Sequence, residues 1–202
     1  MMSNFEEALG FKLNASNLLY ILCDFETLQK KSLNLENFIE ICKKLDVKLI
    51  QYRDKISSNS IQIQNLKYLK QNLNIPIIIN DKIDLIEFAD GLHLGQEDFD
   101  KVHSDKKIAI KLIRKKIGNK LLGLSTHNEI EILEANDLNL DMIGLGAYKN
   151  TSTKDVSTVL GDKISYLAKI SKHPVCAIGG VKIEDEIDNV AFNVVGSAIY
   201  SI

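Results

Sequence analysis

A chain of 202 residues can bury one sizeable core but is short for two independent domains, so we expect a single domain over residues 1–202. Its composition, 45% hydrophobic and 26% charged, is close to that of packed globular proteins and excludes the disordered and fibrous classes. The formal net charge of -2 and the lack of a long Lys or Arg run argue against nucleic acids and anionic membranes as partners.

The cysteines and the apolar stretches indicate a cytoplasmic protein. Cys23, Cys42 and Cys176 are odd in number and lack the spacing of a disulfide framework or a zinc site. The opening segment, residues 1–12, is polar, and no apolar stretch approaches the ~20 residues of a membrane span. We therefore expect no membrane anchor and a cytoplasmic location.

Short apolar runs recur along the chain, and each is followed by a polar or glycine-rich tail. They predict eight strands, at residues 18–23, 47–52, 76–79, 91–94, 121–124, 142–145, 175–178 and 194–199. Between most of these runs, apolar residues recur at the spacing of a helix that covers a core. Two such stripes are Leu35, Phe38, Ile39, Cys42 and Leu45, and Ile61, Ile63, Leu66, Leu69 and Leu73.

This alternation determines the predicted fold class. Near-continuous apolar strands are buried on both faces, and strands that alternate with helices must be parallel. Eight of them predict a compact α/β fold, a single-domain parallel (β/α)8 TIM barrel with a short 82–89 connection. The last covering helix is predicted to be missing, which leaves surface for residues 1–13, for a second subunit of a homo-oligomer or for residues outside this sequence. An open doubly wound sheet is the alternative, although its GxGxxG fingerprint is absent.

Polar residues that follow the strands of such a barrel are the first candidates for function, because the active sites of these barrels lie at the carboxyl ends of the strands. After the second strand, Gln51, Arg53 and Lys55 point the same way in an extended chain. Two cations on one face predict a clamp for a diphosphate, since Arg offers a planar fork and Lys a point charge. Solvated charges at a strand end are the alternative interpretation.

Asn80 and Asp81 follow the third strand, and Asp98 follows the fourth. Because neighbouring strand ends meet at one rim, the two carboxylates could share a hard cation. A pair of carboxylates completed by substrate phosphate oxygens and waters is typical of Mg²⁺. Either aspartate could instead simply cap the next helix.

The later strands end in residues that suit phosphate. Ser125 and His127 follow the fifth strand, and the sixth leads to a loop with hydroxyls and a lysine at Thr151, Thr153 and Lys154. For His127, and also for His93 within the fourth strand, a structural role is the more common one. Glycines suit a phosphate that is held by backbone N–H groups between the last two strands. Gly179 and Gly180 follow the seventh strand, and Gly196 lies next to Ser197 in the eighth.

Taken together, these motifs resemble the thiamine phosphate synthase family over nearly the whole chain. The stretch from Asp90 to Asp98, Asp-Gly-Leu-His-Leu-Gly-Gln-Glu-Asp, is the most specific match. The others are Gln51-Tyr52-Arg53-Asp54-Lys55, Asn80-Asp81, Gly123-Leu124-Ser125, Thr151-Ser152-Thr153-Lys154, Ala177-Ile178-Gly179-Gly180-Val181 and Gly196-Ser197-Ala198-Ile199.

The resemblance implies a cytoplasmic transferase that uses Mg²⁺ and small phosphorylated substrates. It would join 4-amino-5-hydroxymethyl-2-methylpyrimidine diphosphate to a thiazole phosphate, giving thiamine phosphate and diphosphate. The residues implied for the pyrimidine diphosphate are Gln51, Arg53, Lys55, Asn80, Ser125 and Lys154, of which Arg53, Lys55, Ser125 and Lys154 would be catalytic. Asp81 and Asp98 would bind the metal. The residues implied for the thiazole phosphate are Thr151, Ser152, Thr153, Gly180, Gly196 and Ser197.

One departure from the family pattern leaves alternatives open. Residues 146–150 read Gly-Ala-Tyr-Lys-Asn where the family typically carries prolines, so we expect a less rigid loop and an altered thiazole site. A related barrel, a thiazole tautomerase with His127 as its acid and base, is one alternative. A barrel that only binds thiamine phosphate is another.

Overall fold

The computed structural model describes residues 4–150 and 159–201. All the strands of this part of the chain join one sheet. They are β1 (Leu18–Asp24), β2 (Val47–Arg53), β3 (Ile77–Asn80), β4 (Gly91–Leu94), β5 (Leu121–Thr126), β6 (Met142–Leu145), β7 (Val175–Ala177) and β8 (Phe192–Val195).

The sheet is a closed parallel barrel in which each strand pairs with the next and β8 pairs with β1. The predicted eight-stranded α/β barrel is therefore confirmed, and the open sheet is excluded. Closure places the carboxyl ends of all eight strands around one mouth.

Helices cover the outside of the barrel. In the described residues they are α1 (Asn4–Leu9), α2 (Phe25–Lys30), α3 (Leu35–Lys44), α4 (Asn59–Asn72), α5 (Gln96–Val102), α6 (Lys106–Ile117), α7 (Glu129–Ala135) and α8 (Lys163–Ile170). The segment between β3 and β4 is short, as predicted, and forms the 3₁₀ helix Ile83–Phe88. Asn34 caps α3 and exchanges hydrogen bonds with Asn37, which fixes where this helix begins.

One predicted stripe differs from the buried face of its helix. α4 buries Gln62, Leu66 and Leu69, whereas Ile61 is 45% exposed. Ser58 caps the helix, and the Gln62 Nε2 donates to the Ser57 carbonyl oxygen at 2.9 Å, whereas the buried Gln62 Oε1 has no hydrogen-bond partner among the described residues. Apolar periodicity alone could not reveal that a polar residue lies on the buried face.

The eighth strand was predicted at 194–199, but it spans Phe192–Val195. Its pairing with β1 ends at Val195, opposite Ile21, and its pairing with β7 ends at Asn193, opposite Ala177. The following apolar residues form a 3₁₀ helix, Ser197–Ser201. No α-helix follows β8 within the described residues, and instead Tyr200 packs against the outer layer, with its hydroxyl donating to the Leu22 carbonyl oxygen at 3.2 Å.

Successive side chains of each strand point alternately into the barrel interior and toward the layer under the helices. The interior cluster contains Tyr20, Leu49, Ile78, Leu121, Met142, Cys176 and Phe192. α1 adds Phe5 and Leu9 to this cluster, and the Phe5 and Phe192 ring centroids are 6.3 Å apart. Residues of the opening segment, one of the three candidate covers for the outer surface, thus close the amino-terminal end of the barrel. The open end is the mouth.

Candidate active site at the mouth of the barrel

Gln51 and Arg53, two of the three predicted clamp residues, lie at the end of β2 and share one of its faces. Gln51 and Arg53 point into the barrel, whereas Tyr52 packs in the outer layer, where its hydroxyl donates to Asp54 Oδ2 at 2.9 Å. The buried Gln51 Nε2 donates to the Tyr20 hydroxyl at 2.8 Å, which fixes the orientation of the amide. Lys55, the second predicted cation, is exposed beyond the strand.

Arg53 forms an ion pair with Asp24. The two residues are ladder partners at the ends of β2 and β1, and the Arg53 Nη1 donates to Asp24 Oδ2. The Asp24 carboxylate is almost fully buried, and its other oxygen accepts from the Thr27 N–H at 2.8 Å at the start of α2. Arg53 is therefore held in place, and within residues 4–150 and 159–201 its remaining N–H groups have no partner and could bind an anion.

Asp81 and Asp98 come together, although the connection between their strands is short. Asp81 follows β3 with a φ of +61°, and its N–H donates to the His93 carbonyl oxygen at 3.0 Å. Asp98 lies in the first turn of α5, where Oδ2 accepts from the Gly95 N–H at 3.3 Å and Oδ1 pairs with Lys101 at 2.9 Å. The two carboxyl groups are close enough for each to shift the pKa of the other.

The pKa values of this pair move apart. Burial and the negative charge of Asp98 raise the pKa of Asp81, and Lys55 and Asn80 oppose that shift. Burial acts to raise the pKa of Asp98 as well, but hydrogen bonds from Lys101 and Asp81 outweigh it, so the pKa of Asp98 lies below its ordinary value. Two carboxyl groups that repel when both are ionised form a place where a cation is stabilising.

The pair fits a magnesium ion by its chemistry. Among the described residues no group of three or more His, Cys, Asp or Glu side chains could hold a metal ion. Asp81 and Asp98 would offer it two protein carboxylates. Mg²⁺ commonly keeps several waters and binds one or two carboxylates together with substrate phosphates. A sparse donor set of this kind suits it.

Ser125 lies on β5 beside this pair of strands and faces the barrel interior. The His93 Nε2 and Ser125 Oγ are 3.0 Å apart. The Ser125 carbonyl oxygen accepts from the Gln96 Nε2 at 2.7 Å, and the Lys106 Nζ donates to Gln96 Oε1 at 2.8 Å. Both the side chain and the backbone of Ser125 are thus fixed by residues from neighbouring elements.

His127 has a structural partner. Its Nδ1 is 2.9 Å from Glu131 Oε2, and that oxygen also accepts from the His127 N–H at 2.8 Å. Glu131 lies in the first turn of α7, so the pair connects the end of β5 to the start of that helix. The ring nitrogen Nε2 is left for any proton transfer.

The glycines predicted for phosphate follow β7 and β8. Gly179 and Gly180 have φ values of +87° and +68°, which L side chains rarely adopt. Gly196 and Ser197 were predicted within the eighth strand but lie after it, Ser197 being the first residue of the 3₁₀ helix. Thr151, Ser152, Thr153 and Lys154 lie outside the described residues.

The loop without prolines is tethered by its backbone. The Tyr148 N–H donates to the Ile178 carbonyl oxygen at 2.9 Å, and the Lys149 N–H donates to the Gly179 carbonyl oxygen at 2.8 Å. On its other side, the Ala147 carbonyl oxygen accepts from the Leu160 N–H at 2.8 Å. Tyr148 and Lys149 are therefore hydrogen-bonded to the residues that follow β7, contacts that the sequence did not reveal.

Three site residues escaped the sequence analysis: Asp24, Gln96 and Glu131. Asp24 carried the same signal as Asn80, a polar residue directly after an apolar run. The contribution of Asp24 to the site depends on its being the ladder partner of Arg53, and the sequence alone does not reveal the register between β1 and β2. Gln96 and Glu131 act by contacting Ser125 and His127, and no local pattern marks such support.

Comparisons with known proteins agree with this geometry. The family model described as thiamine monophosphate synthase matches residues 19–201. Thiamine-phosphate synthase of Persephonella marina is 34% identical over 84% of this chain and 79% of its own length. The Ruminiclostridium cellulolyticum enzyme of that name is 33% identical over 91% of this chain and 85% of its own.

A solved structure shares the fold. Thiamine phosphate pyrophosphorylase from Pyrococcus furiosus superimposes with a TM-score of 0.67 at 22% identity, covering 90% of this chain and 86% of that one. No helix in the described residues is long and apolar enough to cross a membrane. On the extent of the family match and the identity to its members, the chain belongs to the thiamine monophosphate synthase family.

Proposed function

We propose that this barrel condenses 4-amino-5-hydroxymethyl-2-methylpyrimidine diphosphate with 4-methyl-5-(2-phosphoethyl)thiazole, giving thiamine phosphate and diphosphate. The observation that carries the proposal is the pairing of Asp81 with Asp98 at the mouth, within electrostatic reach of Lys55. Carboxylates paired in this way beside a cation suit a metal-bound diphosphate better than they suit an uncharged ligand.

The diphosphate end of the first substrate would lie among positive groups. Arg53 offers its free N–H groups, Lys55 offers a mobile ammonium, and Asn80 and Ser125 add neutral donors from the next strands. Mg²⁺ held by Asp81 and Asp98 would supply further positive charge for the departing diphosphate oxygens. We assign Lys154, from the segment outside the described residues, to the same group of cations.

In the reaction the bond between the pyrimidine methylene carbon and the diphosphate oxygen breaks, and the electron pair leaves with diphosphate. The thiazole nitrogen then donates its electron pair to that carbon, forming the new C–N bond. The residues at the mouth stabilise the charge that grows on diphosphate and hold the two reactants together. This route needs no protein nucleophile, and the buried, high-pKa thiols of Cys23 and Cys176 offer none.

We assign the thiazole phosphate to the opposite side of the mouth. Gly180 and Gly196 follow β7 and β8, where a backbone without Cβ atoms can approach phosphate oxygens closely. Ser197 and the segment with Thr151, Ser152 and Thr153 would add hydroxyl donors. The tethering of residues 146–150 to the β7 end supports a preformed site despite the missing prolines.

The two alternative functions predict different results in activity and binding assays. A thiazole tautomerase would use the free ring nitrogen of His127, and a binding protein would hold thiamine phosphate without making it. Neither gives a role to the Asp81–Asp98 pair or to the Arg53–Asp24 pair.

The cytoplasmic location stays a prediction, which the three buried, unpaired cysteines support. A homo-oligomer also stays a prediction.

Diphosphate release from both precursors with Mg²⁺ tests the proposal. We expect release that requires both precursors and falls sharply in Lys154→Ala and Asp98→Ala, while His127→Gln keeps most of the activity. Tautomer exchange of a thiazole carboxylate phosphate without diphosphate release would favour the tautomerase. Tight binding of thiamine phosphate without synthesis would favour the carrier.

A further inference from the structure

His93 occupies an unusual slot inside the barrel. Its ring extends from β4 across β5 and reaches β6, which is possible because the positions it crosses are glycines. A Cβ at Gly123 would lie 2.5 Å from the His93 Nδ1, and one at Gly144 would lie 3.1 Å from its Cε1. Any side chain at those two positions would press against the imidazole, so the slot is specific to this ring.

The slot determines which nitrogen carries the proton. His93 is 8% exposed, and burial lowers its pKa from 6.5 to about 4, so the ring is neutral and has a single N–H. Nδ1 is buried and has no hydrogen-bond partner in the described part of the chain, whereas Nε2 faces Ser125 Oγ at 3.0 Å. A buried N–H without an acceptor is rarer and more costly than a bare acceptor nitrogen. The proton therefore belongs on Nε2.

This tautomer determines that the Ser125 hydroxyl accepts a hydrogen bond from His93 and donates its own hydrogen elsewhere. When Nε2–H donates to Oγ, one lone pair of the oxygen is used and the hydroxyl hydrogen must find another acceptor. A diphosphate oxygen only accepts hydrogen bonds, so it matches the direction in which the hydroxyl is left to donate. The Gln96 contact fixes the Ser125 backbone from the other side.

We propose that His93 is a positioning residue, whose Nε2–H holds the Ser125 hydroxyl so that its hydrogen is directed at the leaving diphosphate. The inference rests on the proposed function, because it requires Ser125 to contact the diphosphate. It adds a residue that touches neither substrate and acts through Ser125 alone.

A double-mutant cycle of His93→Leu and Ser125→Ala tests this. We expect His93→Leu to lower kcat by about tenfold, the loss of one well-placed hydrogen bond, and to leave the KM for the thiazole phosphate unchanged. In the Ser125→Ala background the same change should have almost no effect, because the hydroxyl it positions is gone. His93→Gln, whose amide can donate from near the Nε2 position, should restore most of the activity.

His173→Leu is the matched control, because its Nε2 contacts the Ala135 carbonyl oxygen at 2.9 Å on another part of the molecule. It should leave kcat unchanged. If His93→Leu does not fold, Gly144→Ala displaces the ring instead and should lower kcat only when Ser125 is present. Thermal unfolding of each variant checks that the fold is intact.

The outcomes separate the inference from the function on which it rests. If His93→Leu lowered kcat by the same factor with Ser125 and with Ser125→Ala, the positioning role would be overturned. A folded His93→Gln variant whose kcat stays as low as that of His93→Leu would also overturn it. A Ser125→Ala variant with normal diphosphate release would remove Ser125 from the proposed site, and the inference with it.

Discussion

Asp81 and Asp98 reach one point at the mouth from two successive strand units, close enough for the negative charge of Asp98 to raise the pKa of Asp81. Asp81 is held there by the backbone bond from its N–H to His93, and Asp98 by the first turn of α5. Two ionised carboxylates this close repel each other, so a cation between them is stabilising. The pair therefore suits the metal-assisted reaction proposed above.

We predict that Asp81→Asn and Asp98→Asn each lower kcat by at least about 100-fold, because a metal contributes several kcal/mol of charge stabilisation. Both changes should also raise the Mg²⁺ concentration needed for half-maximal activity. Steady-state assays across a Mg²⁺ titration measure both quantities. Asp100→Asn, on the exposed face of the same helix, is the control and should behave like the unchanged protein. An Asp98→Asn variant with an unchanged Mg²⁺ requirement would contradict the metal assignment.

Arg53→Lys should raise the KM for the pyrimidine diphosphate by about tenfold and leave the KM for the thiazole phosphate unchanged. A guanidinium can serve Asp24 with Nη1 and the diphosphate with its other N–H groups, whereas a single ammonium would be captured by the buried carboxylate. Initial rates with one substrate varied at a time measure the two KM values.

Arg114→Lys is the matched control for that change. Arg114 and Asp141 also form a half-buried ion pair, with Nη2 and Oδ2 2.7 Å apart, and Arg114 also donates to the Asn139 and Lys120 carbonyl oxygens on the outside of the barrel. This swap should lower stability without changing either KM. Equal KM effects in both variants would show that Arg53 has no special place in the site.

The sequence predicted more of the fold than of the site. Strand and helix alternation gave the barrel, and the rule that strand ends meet at one rim placed Asp81 near Asp98. The Arg53–Asp24 pair could not be predicted because it depends on the register between β1 and β2. The role of His93 depends on the gaps at Gly123 and Gly144, which are distant in sequence and become neighbours only when β5 pairs with β6. β8 was predicted to begin two residues late and to end four residues late, and its end was misplaced because apolar residues continue into the 3₁₀ helix.

The buried His93 should make the protein less stable in acid. Between pH 6.5 and about pH 4 the unfolded chain takes up a proton that the folded ring does not accept, so the free energy of unfolding falls as the pH falls. The loss should total about 3 kcal/mol at pH 4. Urea unfolding at a series of pH values measures it. His93→Gln should lack this part of the pH dependence while sharing every other contribution, so parallel curves would contradict a buried neutral ring.

Gly180→Ala should raise the KM for the thiazole phosphate more than any other kinetic constant. The residue has a φ of +68°, and a Cβ there would lie 2.7 Å from the Asn150 carbonyl oxygen, at the start of the segment assigned to the phosphate. The loop must therefore move away from the β7 end. Gly118→Ala is the matched control, because Gly118 has a similar φ of +63° but a Cβ there would meet nothing within 4 Å. Both variants incur the cost of a side chain at positive φ, so both should lose stability, but only Gly180→Ala displaces the loop. Equal KM values for the thiazole phosphate in the two variants would mean that contact between Gly180 and Asn150 does not shape the phosphate site.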